Sequence, residues 1–286
     1  MKGTNVKRYL HLIWIGAVIA AQVCLAAPAA AQIDPWEFEV YPYKTEPRGM
    51  VEIETLNAVV ANGHNTPDAG TGGEFASQST WYNAYELTYG LTDRIEAAAY
   101  LNLAQPRGAG LWYAGSKYRL RGRLFDEETL PVNLGWYAEL EWPKSPQFDE
   151  ANLELELRPI MEKDFGRFSL VANPVFAKVL SGEGHTQGFE FGYRNGAYFR
   201  WLRYISPGIE FYGGCGLIDD TEPLQEQQHY IFPVLWGELP NGIEYNVGPG
   251  FGLTPNSDRV IMKFNIEFER YVGALFGPSS ENSWFF

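Results

Sequence analysis

The chain has 286 residues, of which 45% are hydrophobic, 15% aromatic and only 20% charged; that mixture excludes intrinsic disorder, which needs low hydrophobicity and few aromatics. A formal charge of −13 and a pI near 4.8 exclude nucleic-acid binding, which needs a basic face. With two cysteines, Cys24 and Cys215, a small disulfide-stapled scaffold is excluded as well.

Lys2, Lys7 and Arg8 precede an apolar stretch from Leu12 to Ala21, and a small-x-small site follows at Ala29-Ala30-Ala31. This is the order of a secretory signal peptide over residues 1–31, and it predicts cleavage before Gln32. The apolar core is short for a spanning helix of about 20 residues. Cleavage would shift the formal charge from −13 to −16, because three cations leave with the signal. Residues 32–49 then read as a periplasmic N-terminal segment.

From residue 50 to residue 269 the apolar period is two. In the clearest case Val260, Met262, Phe264, Ile266 and Phe268 share one face, and Lys263, Asn265, Glu267 and Glu269 share the other. Strands are predicted near 50–60, 80–91, 94–104, 110–120, 132–142, 151–161, 168–180, 188–199, 207–217, 229–236, 242–251 and 259–269. Turn signals separate them, among them Leu91-Thr92-Asp93, Pro240-Asn241-Gly242 and Thr254-Pro255-Asn256-Ser257-Asp258. About twelve strands of roughly ten residues each have the length that crosses a bilayer when tilted. Residues 270–286 form a C-terminal tail that ends Ser283-Trp284-Phe285-Phe286.

A soluble β-sandwich also alternates, but with its apolar face inward. Here the polar faces carry glutamates in mid-strand and the opposite faces are bulky. Trp81, Trp112 and Trp142 fall at one end of the meander, and Tyr89, Trp201 and Trp236 at the other, as two headgroup girdles require. A bilayer forbids open sheet edges, so the meander must close. The expected fold is all-β: a closed up-and-down antiparallel transmembrane β-barrel of about 12 strands.

The face assigned to the lumen is acidic. It carries Glu52, Glu54, Glu86, Glu96, Glu139, Glu141, Glu154, Glu156, Glu190, Glu210, Glu244, Glu267 and Glu269, opposed by Lys117, Arg119, Arg158, Arg194 and Lys263. Of these, Glu139, Glu141, Glu154, Glu156, Arg158, Lys117, Arg119, Lys263 and Glu267 are the candidate transport lining. Either a water-filled, cation-tolerant pore or a salt-bridge network that fills the barrel would accommodate such a face. The excess of acid favours water, because unpaired carboxylates need it.

His64, His185 and His229 fall in connections that share one end of the barrel, with Ser77 and Ser79 near His64. A rim-sited lipid hydrolase could be built from such residues, but the sequence has no nucleophile elbow. Glu183, His185 and His229 form no compact metal-ligand motif. No catalytic residue, cofactor or metal is assigned. Cys215 shares parity with Ile209 and Phe211 and is expected to face lipid as a small hydrophobe.

The passage Glu86-Leu87-Thr88-Tyr89-Gly90-Leu91-Thr92-Asp93-Arg94-Ile95-Glu96 resembles a strand-turn-strand pattern, Y-G-x-T-D-x-x-E, of bacterial outer-membrane barrels. It is most similar to the transporter family of the meta-pathway of phenol degradation. Pro249-Gly250-Phe251-Gly252-Leu253-Thr254, leading into Asp258-Arg259, is similar to that family's penultimate turn. The resemblance implies a non-enzymatic Gram-negative outer-membrane channel for passive uptake of small, aromatic or apolar compounds. Its partners would be the lipid bilayer, the outer-membrane assembly machinery and a small-molecule solute. A rim-sited lipid hydrolase and a non-conducting structural or adhesion barrel are the alternatives.

Overall fold

The computed structural model describes residues 33–67, 73–240 and 242–272. The signal pattern at 1–31 and the terminal Ser283-Trp284-Phe285-Phe286 lie outside the described residues. Twelve strands follow in chain order: β1 (Met50–Asn62), β2 (Trp81–Gly90), β3 (Ile95–Gln105), β4 (Trp112–Arg123), β5 (Asn133–Lys144), β6 (Ala151–Phe165), β7 (Phe168–Gly182), β8 (Glu190–Phe199), β9 (Ser206–Leu217), β10 (Gln228–Glu238), β11 (Ile243–Gly252) and β12 (Val260–Tyr271). Each pairs antiparallel with its chain neighbour, and β1 pairs with β12, so the sheet closes into a barrel without edges. The described residues contain no helix.

Alternation decides which side faces out. On β12, Phe264 and Ile266 are 38% and 43% exposed, while their neighbours Lys263 and Asn265 are 2% and 4% exposed. The same holds for Ile53, Leu87 and Leu120, all exposed large hydrophobics between buried polar neighbours. A belt of this kind is stable only against lipid, so the barrel is of the transmembrane type. Exposed Trp112 and Trp142 sit at one end and exposed Trp201 at the other. Connections 63–80, 106–111, 145–150, 183–189, 218–227 and 253–259 share the first end, called the loop end here; 91–94, 124–132, 166–167, 200–205 and 239–242 share the turn end. The tightest turn is Gly166-Arg167, closed by the pair Phe165↔Phe168, with Gly166 at φ +64°.

The ladders are not uniform. Between β6 and β7 the pairing skips from Leu157↔Phe176 to Met161↔Ala172, where Pro159 and Pro174 fall. Between β10 and β11 it skips from Ile231↔Phe251 to Leu235↔Val247, where Pro233 and Pro249 fall. Proline has no N–H to give, so a proline on each strand removes the ladder there. A bulge on β9 corrects one expectation. Phe191 pairs with Gly216 and Gly192 with Gly214, leaving Cys215 as the extra residue. The bulge resets the parity read from Ile209 and Phe211, and Cys215 is fully buried rather than lipid-facing.

The larger correction concerns residues 33–46. They do not extend into the periplasm as the sequence reading had it; they run through the lumen. Ile33 donates its N–H to Gln228 near the loop end, and the Trp36 indole donates to Leu103 O at 2.7 Å. At the turn end the Tyr43 hydroxyl donates to Phe125 O, and Glu46 N donates to Glu96 at 2.6 Å. The chain then reverses over Pro47 and Gly49 into β1, with Gly49 N donating to Gly90 O at 2.9 Å. A Cβ on Gly90 would lie 1.9 Å from Pro47 O, so this reversal requires glycine there.

Candidate functional site

The lumen is built by the inward faces of the strands and divided by the N-terminal segment. Phe38 of that segment packs edge-on against Tyr212 at 5.3 Å and against Tyr230 at 5.7 Å, and lies beside Phe232, which fills one side with aromatic surface. Its other side is polar. The amide of Asn173 on β7 accepts from Tyr41 N at 2.8 Å and donates to Tyr41 O at 3.1 Å. One side chain thus satisfies both backbone groups of an extended residue that has no strand beside it. Tyr41 also meets Tyr100, hydroxyl to hydroxyl, at 2.9 Å.

Glu37 carries the centre of the ionic network. It takes Lys117 at 2.7 Å and Arg158 at 2.6 Å, and all three side chains are almost fully buried. Lys117 also reaches Asp34, and Glu139 at 3.1 Å. Arg158 also holds Glu156. Arg119 is shared by Glu86 at 2.7 Å and Glu96 at 2.8 Å, and stacks over Tyr41 at 4.7 Å. Arg121 supports Glu96 at 2.7 Å. Lys263 pairs with Glu210, which also accepts from Tyr212 at 2.7 Å and Asn246 at 2.8 Å. In the barrel middle the buried charges therefore form an ionic network of three groups, around Glu37, around Arg119 and around Lys263. Such a network is stable only when every buried charge has its partners.

The predicted cross-strand acids meet as like-charge pairs: Glu139 stands opposite Glu156, and Glu141 opposite Glu154. Cations resolve both contacts. Lys117 and Arg158 flank the first pair, and Lys144 reaches Glu154 at 2.9 Å and Glu141 at 3.6 Å in the second. Lys144 also holds Asp149 at 2.5 Å in the β5–β6 connection. Burial raises the Asp149 carboxyl above its usual value, against the pull of Lys144. Glu267 lies opposite Glu54 on β1 and Glu244 on β11.

Toward the loop end the network opens into a cavity of about 750 Å³. Trp36, Phe75, Tyr82 and Phe148 line one part of it, with Trp36 and Phe148 in edge contact at 5.7 Å. Glu139, Glu141, Glu154, Glu156 and Lys117 reach it, whereas Arg119, Arg158, Lys263 and Glu267 lie outside its lining. Among its described lining residues there are ten carboxylates against three cations, Lys117, Lys144 and Arg194.

The histidines do not assemble a hydrolase. Ser77 Oγ donates to Asp258 at 2.5 Å and accepts from the His64 backbone N–H, while the His64 ring contacts Asn256 O at 3.2 Å. His229 lies within β10, not in a connection, and its ring is held by Tyr193 at 2.9 Å and Gln227 at 2.7 Å. The His185 ring contacts Gly182 O at 2.9 Å. Among the described residues no nucleophile–base pair or His-containing metal cluster forms from them.

Sequence reasoning missed Asp34, Glu37, Tyr41, Arg121 and Lys144. A signal for the segment was present: Trp36-Glu37-Phe38-Glu39-Val40-Tyr41 alternates with the same period as the strands.

No protein-family profile matches the chain, and no curated protein matches it in sequence. Among solved structures the chain is similar to the COG4313 outer membrane channel from Pseudomonas putida F1, with a TM-score of 0.54 at 14% identity over 84% of this chain and 99% of that one. A mutant of the TodX monoaromatic hydrocarbon channel aligns at a TM-score of 0.38 and 10% identity, over 78% of this chain and 90% of that one, too distant to carry an argument. The first likeness is one of fold, and it agrees with the strand count, the closure and the outward apolar belt: the chain is a closed, twelve-stranded antiparallel barrel of the transmembrane type.

Proposed function

We propose that the protein is a passive outer-membrane channel for small solutes, narrowed by its own N-terminal segment. The observation that carries this reading is the cavity of about 750 Å³ at the loop end, set into a barrel with a lipid-compatible exterior. Its volume suits a single small organic molecule. Its aromatic wall of Trp36, Phe75 and Phe148 offers flat apolar contact, which supports the aromatic or apolar solute class. The candidate transport lining divides by depth in this proposal. Glu139, Glu141, Glu154, Glu156 and Lys117 meet the solute first; Arg119, Arg158, Lys263 and Glu267 set the field deeper in the barrel. The role is non-enzymatic, since His64 and Ser77 are turned to structural contacts.

Delivery follows the signal pattern: residues 1–31 are removed, and the assembly machinery inserts the barrel in the Gram-negative outer membrane with its loop end outward. N-terminal sequencing should find Gln32, and the protein should fractionate with outer membranes. Reconstitution in a planar bilayer tests the function. Discrete conductance steps are expected; a barrel that inserts but never conducts, at any voltage, would overturn the channel reading in favour of a structural barrel.

A further inference from the structure

The turn-end half of the lumen holds carboxylates that the ionic network leaves uncompensated. Glu54 stands between Glu86 on β2 and Glu267 on β12, directly opposite both. Glu52, two residues earlier on the same face, stands opposite Glu269. Glu52 and Glu54 are 8% and 5% exposed, and among the described residues neither makes an ion pair. Like charges placed directly opposite one another repel, and burial strengthens the repulsion.

Carboxylate oxygens of Glu52, Glu54 and Glu267 all lie within 4.8 Å of one another. A second observation comes from outside that group. Glu86 is 2% exposed, and its Oε1 is taken by Arg119 and Thr88, but its Oε2 is buried with no partner. Glu86 shares a second such group with Glu54 and Glu39 of the N-terminal segment, so its carboxylate adjoins the first group through Glu54. Glu46, from the same segment, has a buried Oε2 without a partner and groups with Glu52 and Glu269.

We propose that this cluster is a site for a divalent cation of the calcium class, centred on Glu52, Glu54 and Glu267, with Glu86 beside it opposite Glu54. Calcium takes six to eight oxygens at about 2.3–2.6 Å, so ligands on opposite sides of the ion lie roughly 5 Å apart, which matches the spread of these oxygens. Magnesium needs a tighter octahedron of about 2.0–2.1 Å and keeps several waters, which a buried carboxylate cluster accommodates poorly. The donors are all hard oxygens, with no imidazole or thiolate to select a softer metal. The ion would tie β1 to β2 and to β12, and reach the lumen segment through Glu39 and Glu46. It would do so next to a weak point of the closing seam: the β1–β12 pairing skips from Thr55↔Ile266 to Ala58↔Lys263, one residue beyond Glu54↔Glu267.

The test is calcium titration calorimetry on the mature full-length barrel in detergent micelles, with thermal unfolding in calcium or in chelator. Saturable calcium binding is expected, weakened at least tenfold in the double variant Glu54→Gln, Glu267→Gln. The chelator should lower the wild-type unfolding temperature and leave that of the double variant unchanged. Glu141→Gln, at the loop-end cavity, should bind calcium as the wild type does. If the double variant fails to fold, the single variant Glu54→Gln takes its place in both measurements. No calcium heat, with unfolding indifferent to chelator, would overturn the site and leave protons as what the carboxylates hold; undiminished binding in a folded double variant would overturn it equally.

Discussion

Phe264 and Asn265 are chain neighbours that face opposite environments, and the difference is measurable. Phe264 lies on the lipid side, so Phe264→Arg puts a charge in hydrocarbon and should cost about 2–4 kcal/mol. Asn265 is buried on the lumen side, where its Oδ1 accepts from Asn57 N at 3.3 Å. Asn265→Arg loses that bond, about 1 kcal/mol, while the charge stays on the polar lumen face, beside Asn246 and two residues from Glu267. Urea-dependent folding into vesicles should rank the two variants in that order; equal losses would mean that the faces are misassigned. A glycine gives a second test. A Cβ on Gly250 would lie 2.1 Å from the Phe232 ring, which is already wedged between Phe38 and Tyr212. Gly250→Ala should therefore destabilise by about 1–3 kcal/mol in the same assay. Gly250 and Gly90 both lie in the two passages that carried the family resemblance. The physical need was not visible there, because the groups they clear, the Phe232 ring and Pro47 O, come from elsewhere in the chain.

The strands were legible because their cause is local. A period of two bounded by turn residues placed all twelve within a few residues of where the backbone puts them, from Met50 to Tyr271. The segment at 33–46 alternates too, yet its partners, Asn173, Arg158 and Lys117, come together only once the barrel has closed. Pro35, Pro42 and Pro47 suit its place, because an extended segment inside a barrel has no ladder to interrupt. Its anchor can be cut at one residue. Glu37→Gln removes the charge shared by Lys117 and Arg158, which keep Glu139 and Glu156 as remaining partners. The expected loss is roughly 1.5–3 kcal/mol, the range for hydrogen bonds to charged groups. The same variant should loosen the segment and raise single-channel conductance. A variant that loses stability without a change in conductance would show that the segment does not set the constriction.

At the scale of the whole molecule, the acidic balance of the sequence becomes a field with a direction. The lipid face is apolar, so the charges concentrate in the lumen and at its mouths, where low-dielectric walls focus the potential. Ion pairs hold the middle, and the loop-end cavity is lined by ten carboxylates against three cations, an excess of acid even where Lys117 and Lys144 pair. A permeating ion meets that excess first, and cations should be enriched over anions. Replacing Glu139, Glu141, Glu154 and Glu156 together by Gln keeps their shape and much of their hydrogen bonding but removes four of those ten charges. It also leaves Lys117, Arg158 and Lys144 with fewer counter-ions, which moves the local balance further toward the positive. Reversal potentials under a salt gradient should shift toward anion permeation. The shift should be largest at low ionic strength, where the Debye length of about 30 Å at 0.01 M lets these charges act across the whole mouth, and should fade near 1 M, where it is about 3 Å. An unchanged reversal potential in a conducting variant would place the selectivity elsewhere in the lumen, with the turn-end carboxylates around Glu54 as the next group to neutralise.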